Sequence, residues 1–189
     1  MVLVYIHGAN ATPTSFNFIR HHVGDGLMLS YDSNHGFKNN LERFKEEIKN
    51  IHDIVFIAHS LGGIYAMHLA NEFPDRINQA VTISTPYGGH ALAEYAKAFM
   101  PFLPLLNDIG PNSWPISSMS SMQLVSPWCN IVTTKGNAPW MMEPNDGVVS
   151  VASQRHRTDM SLIEVEANHY EIMLSIDTIN IIETKLSTY

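Results

Sequence analysis

Asp53-Ile54-Val55-Phe56-Ile57-Ala58-His59-Ser60-Leu61-Gly62-Gly63 is the stretch on which the fold turns. Ile54 to Ile57 is a β-branched and aromatic run of strand length without polar alternation, the pattern of a parallel strand covered on both faces. After Ser60 the character changes, and Leu61, Gly62, Gly63, Ile64, Tyr65, Ala66, Met67, His68, Leu69 and Ala70 read as a helix that begins with small residues. A serine at such a junction sits on a tight turn with its hydroxyl lifted out of the sheet. Small neighbours two positions either side, here Ala58 and Gly62, let strand and helix approach. Taken alone, the stretch also fits a helix start capped by Ser60, so the decision falls to the rest of the chain.

Working outward, Val2 to Ile6 is an apolar run that ends in His7-Gly8. Thr12-Pro13 then reads as an N-cap with proline in the first helical position, opening a helix that carries Phe16, Ile19 and Arg20 and stops at Gly24 and Gly26. Leu27 to Tyr31 is a second strand, followed by a polar turn. Leu41, Phe44, Ile48 and Ile51 recur at helical spacing within an amphipathic helix over Lys38–Ile51. Downstream, the Ser60 helix ends near Phe73-Pro74, and Ile77 to Ser84 is a further strand, broken at Thr85-Pro86-Tyr87-Gly88-Gly89. This alternation predicts an α/β fold: a parallel sheet with helices on both faces and an active site at the carboxyl ends of the strands. His7, Ser60 and Thr85 all occupy such ends.

Residues 90–123 break the rhythm with a helical start, a proline-punctuated apolar run from Met100 to Leu106, and Trp114. Two readings stay open: the segment packs against the core or a second subunit, or it is an apolar cap over the strand ends suited to acyl chains. On the second reading Met100, Phe102, Leu103 and Trp114 line the substrate site, with Trp140 and Met141 from a later loop. Trp128–Thr134 and Leu162–Val165 complete the strands. The last leads to Asn168-His169-Tyr170 and a closing helix with Ile172, Ile176, Ile179 and Leu186 on one face.

Composition narrows the classes. The 189 residues fit a single domain, and 45% hydrophobic and 15% charged residues with a net charge of −7 are ordinary for a soluble protein and poor for nucleic-acid binding. Cys129 is the one cysteine, which excludes an intrachain disulfide and gives no support to a cysteine-based zinc site. The start MVLVYIHG lacks the charged beginning and long apolar core of a signal peptide, and no run reaches membrane-spanning length, so a cytoplasmic protein without a transmembrane segment is expected. Nothing in the pattern fixes an oligomeric state.

Serine needs a base to remove its proton, and the base works best when a carboxylate orients it. Among ten histidines, His169 follows the last strand and lies C-terminal to Ser60, the order expected when an elbow serine begins a triad. The acid belongs between them, after the preceding strand, where Asp146 stands in Asn145-Asp146-Gly147-Val148-Val149. His7 is read as bracing its loop and His59 as packing at the elbow.

With these motifs assembled, the sequence resembles the α/β-hydrolases, and within them the bacterial triacylglycerol lipases and small serine esterases. The resemblance rests on His7-Gly8, Ala58-His59-Ser60-Leu61-Gly62-Gly63, Ser84-Thr85-Pro86, Asn145 to Ser150 and Asn168-His169-Tyr170-Glu171. It implies Ser60 as nucleophile, Asp146 as orienting acid and His169 as general base. It also implies the backbone N–H groups of Ala9 and Leu61 as an oxyanion hole. The substrate class is then a small-molecule ester with an apolar acyl group, cleaved without a cofactor; thioesterase, acyltransferase or peptidase chemistry uses the same triad, and a non-catalytic binding module is the remaining alternative. Three departures stand out. Ala58 replaces the first elbow glycine. Glu171 stands where several such lipases carry a calcium-binding aspartate, so no metal is expected. The chain starts directly at the His-Gly strand, which predicts a minimal sheet of about six strands.

Overall fold

The computed structural model describes residues 1–90, 93 and 104–187. Strands β1 (Val2–Ile6), β2 (Leu27–Leu29), β3 (Ile54–His59), β4 (Ile77–Ile83), β5 (Trp128–Thr133) and β6 (Ser161–Val165) form one parallel sheet in the order β2-β1-β3-β4-β5-β6. The parallel sheet of about six strands, expected from the strand order and the resemblance, is present. Its order places a topological switch between β1 and β3, because the chain leaves β1 toward one edge and β3 toward the other. Loops diverging from such a pair leave a crevice at the carboxyl ends.

Alternation along each strand divides the core in two. Val4, Ile6, Phe56 and Ala58 face the helices α2 (Phe37–Ile48) and α3 (Leu61–Glu72), packing with Phe37, Leu41, Phe44, Ile64 and Tyr65. Leu3, Tyr5, Val55, Ile57, Val81 and Ile83 face the opposite way, onto Phe16 and Ile19 around α1 (Asn17–Val23) and onto Ile179 and Ile182 of the closing helix Ile176–Leu186. β3 is buried at every position, which is why its sequence shows no polar alternation.

Several boundaries differ from expectation, each for a local reason. β2 stops at Leu29 rather than Tyr31, and the Tyr31 N–H donates instead to His7 Nε2 at 3.2 Å. The amphipathic helix runs Phe37–Ile48 rather than to Ile51. Leu174 ends a 3-10 turn, Glu171–Leu174, that precedes the closing helix, whose N-cap Ser175 accepts from the Asp177 N–H. In the 90–123 segment the described helices Pro104–Ile109 and Trp114–Ser117 lie along α2 and α3: Trp114 sits 6.2 Å from the Phe37 ring and 5.0 Å from His68, whose Nε2 donates to the Pro115 carbonyl at 2.9 Å.

Candidate active site

Ser60 joins β3 to α3 with φ 53° and ψ −124°, a left-handed conformation that side chains other than glycine adopt only when their surroundings enforce it. What enforces it is close packing. The Ser60 N–H donates to the Ile83 carbonyl at 2.8 Å, and a Cβ added to Gly62 would stand 2.2 Å from the Ile6 carbonyl oxygen. Helix α3 therefore starts directly against β1, and Ser60 has no freedom to relax. The Leu61 N–H, first in the helix, has no hydrogen-bond acceptor among the described residues, as expected for the first N–H groups of a helix.

The loop after β1 faces this turn. His7 is fully buried, stacked on Tyr31 with centroids 4.4 Å apart; because its Nε2 accepts from the Tyr31 N–H, its Nδ1–H donates to the Gly8 carbonyl at 2.8 Å. Burial lowers its pKa, so it braces the loop as a neutral ring. The Asn10 N–H is held by Ser33 Oγ at 3.0 Å, leaving the Ala9 N–H between them without an acceptor among the described residues.

Asp146 and His169 form a buried pair. His169 Nδ1–H donates to Asp146 Oδ2 at 2.7 Å, which leaves Nε2 as the nitrogen that can take up a proton from a neighbour. Oδ2 also receives Thr133 Oγ1–H at 2.6 Å and Gln154 Nε2–H at 3.1 Å, while Oδ1 accepts from the Val148 and Val149 N–H groups at 2.9 and 2.7 Å. Burial pushes the Asp146 carboxyl up, but the bond and charge of His169, with Thr133 and the Val149 N–H, outweigh it and hold the carboxyl below its usual range. Asn168 Oδ1 accepts from the Tyr170 and Glu171 N–H groups and so fixes the turn that carries His169.

Ser60 and His169 both line a cavity of about 350 Å³, with Ala9, Phe18, Met173 and Leu174 among its other walls. No hydrogen bond joins Ser60 Oγ to His169 Nε2, and catalytic bonds of this kind often tighten only when substrate binds. His59 is the second histidine of the cavity. It is buried, its Nε2–H donates to the His169 carbonyl at 3.0 Å, and its Nδ1 has no partner among the described residues; burial, then the neighbouring His169, lowers its pKa to about 3.

Of the remaining sequence-predicted residues, Met100, Phe102 and Leu103 lie outside the described residues. Trp114 is on the α2–α3 flank, and Trp140 and Met141 line a separate cleft of about 240 Å³ with Gly89, His90 and Ser150. The structure brings none of these three to the Ser60 cavity. That cavity instead draws Phe18, Met173 and Leu174 from α1 and the Glu171–Leu174 turn, residues that the sequence did not single out. Thr133 and Gln154, the supports of Asp146, were equally invisible, since a single threonine or glutamine carries no motif. Among the described residues no group of three or more His, Cys, Asp or Glu side chains could hold a metal ion, and no helix is long and apolar enough to cross a membrane.

This arrangement of sheet, elbow and paired acid and histidine is that of a hydrolase fold. The chain belongs to the α/β-hydrolase family, whose model for the alpha/beta hydrolase fold matches residues 6–108. It is 26% identical over 152 residues to triacylglycerol lipase 2 of Saccharomyces cerevisiae, a match covering 60% of this chain and 45% of that protein, so the chain spans under half the relative's length. In three dimensions it is similar to the mature Bacillus licheniformis lipase BlEst2, with a TM-score of 0.75 and 13% identity over 98% of this chain and 91% of that one. It is also similar to the Legionella pneumophila phospholipase PlaB, with a TM-score of 0.75 and 12% identity over 93% and 54% of the two chains. The chain is thus a minimal α/β-hydrolase resembling lipases and esterases.

Proposed function

We propose that this protein is a serine hydrolase that cleaves carboxylic esters through an acyl-enzyme on Ser60. The observation that carries the reading is the meeting, at the β1–β3 switch, of a strained serine, a carboxylate-oriented imidazole and two backbone N–H groups without acceptors. His169 Nε2 takes the Ser60 proton as Oγ attacks the ester carbonyl, and the oxygen that becomes negative is met by the Ala9 and Leu61 N–H groups, each worth about 3 to 4 kcal/mol in the transition state. The imidazolium then protonates the departing alcohol as the C–O bond breaks. Water, deprotonated by the same nitrogen, attacks the acyl-enzyme and returns the acid and free Ser60. Asp146 holds the Nδ1–H tautomer and stabilises the positive ring, without itself taking the proton.

Hydrolysis of p-nitrophenyl esters by the wild type and by Ser60→Ala tests the reading. Loss of kcat on the order of 10⁴-fold or more is expected. Equal turnover by the two proteins would refute it.

A further inference from the structure

We infer that the cavity beside Ser60 selects acyl chains of medium length, seated between α1 and the Glu171–Leu174 turn rather than against the described helices of the 90–123 segment. The inference rests on the ester-hydrolase reading above and names the substrate class for that site.

The geometry of the walls carries it. Ser60 and His169 share the cavity with Phe18, Met173 and Leu174 and with Ala11 and Val148. An acyl group attached to Ser60, with its carbonyl oxygen toward Ala9 and Leu61, therefore has apolar wall available on the α1 side. Polar groups, Thr14, Ser15 and Asn17, come from the loop and helix start next to Phe18. The described part of the 90–123 segment contributes no residue to these walls.

Volume sets the length. A water molecule occupies about 30 Å³ in the liquid and a methylene group is of similar size, so 350 Å³ holds on the order of ten such groups. The ester atoms take two or three of those places, leaving room for roughly seven or eight carbons. Beyond that length the chain passes the rim, where Tyr170 and Leu174 are 69% and 66% exposed, and further methylenes meet water on their outer side. Burial then stops growing, and so does the gain in binding. Met173, unbranched and adaptable, lets the wall close on chains of slightly different length.

The test is kcat/KM across p-nitrophenyl esters from acetate to dodecanoate, below the concentration at which any of them aggregates. The expected profile rises about threefold to fourfold per added methylene, as burial of each group predicts, and levels off between hexanoate and decanoate. A maximum at acetate, a rise that continues at the same slope to dodecanoate, or a flat profile would overturn the inference. Phe18→Trp, which shortens the cavity, should move the point of levelling off toward shorter chains. Leu174→Asp, at an exposed position that folding tolerates, should lower the octanoate-to-acetate ratio about tenfold. If both variants keep the wild-type ratio while Trp140→Ala or Met141→Ala changes it, the acyl chain lies in the other cleft and the inference fails. Loss of dependence on Ser60 would sink the hydrolase reading itself, whereas a flat profile with full Ser60 dependence sinks the chain-length inference alone.

Discussion

Thr133 Oγ1 has one proton and three oxygen neighbours: Asp146 Oδ2 at 2.6 Å, Ser84 Oγ at 2.9 Å and Gln154 Oε1 at 3.2 Å. The charged oxygen is the strongest acceptor, so Thr133 donates to Asp146 and accepts from the Ser84 hydroxyl, a short relay that ends on the carboxylate. Thr133→Val keeps the shape and removes the donor. It should cost about 2 kcal/mol of folding stability at neutral pH, a typical value for a hydrogen bond to a charged group. Asp146 has a depressed carboxyl pKa in the fold, so its favourable contribution is present above the unfolded value of about 3.9 and disappears as pH falls through the folded one. Urea melts at pH 7 and at low pH check the sign: the cost of Thr133→Val should shrink in acid. Ser60, Asp146 and His169 were legible because each sits in a short motif after its own strand. Thr133 and Ser84 are hydroxyl residues in β-rich sequence, and only the sheet register that sets β4 beside β5 brings them together.

At the scale of elements, the approach of α3 to the sheet depends on absent side chains. A Cβ at Gly62 would meet backbone, the Ile6 and His7 carbonyl oxygens at 2.2 and 2.7 Å, which no rotamer change can move. Alanine favours helix over glycine by about 1 kcal/mol, but overpacking against fixed backbone costs about 3 kcal/mol, so the clash decides. Gly62→Ala should lower the urea midpoint and, by shifting α3, reduce kcat for any ester. A near-wild-type midpoint would contradict the packing described. β3 and α3 were readable as unbroken apolar runs because they are buried throughout, and α2 by the helical period of its one buried face. The four-residue helix Val151–Gln154 was not, being too short to show a period, although its N-cap Ser150 accepts from the Ser153 N–H and its Gln154 holds Thr133 and Asp146.

For the whole molecule, buried histidines tie stability to pH. His7, His59 and His68 are all buried, and burial lowers the pKa of each, that of His59 to about 3. A group whose folded pKa lies below its unfolded value of about 6.5 favours unfolding as pH drops between the two, since the unfolded chain takes up the proton first. His59 alone should therefore remove about 2 kcal/mol of stability between pH 7 and pH 5. His59→Gln, which retains an N–H for the His169 carbonyl, should lose less stability than the wild type over that interval in paired chemical melts. Identical slopes would show that His59 does not stay neutral. The overall architecture was open to a reading of the sequence because alternating strands and helices permit few topologies. The placement of the 104–121 helices was not, since proline-punctuated apolar sequence fits a flank as well as a lid.

The order of strands in the sheet also bears on how the chain is made. β1 is nearly all buried, yet its neighbour β3 begins at Ile54, so on the ribosome the first apolar strand emerges well before the partner that covers its inner edge. At roughly 5 to 20 residues per second, that interval lasts a few seconds. A nascent chain paused between the two would present an unpaired apolar edge, the kind of surface that chaperones occupy.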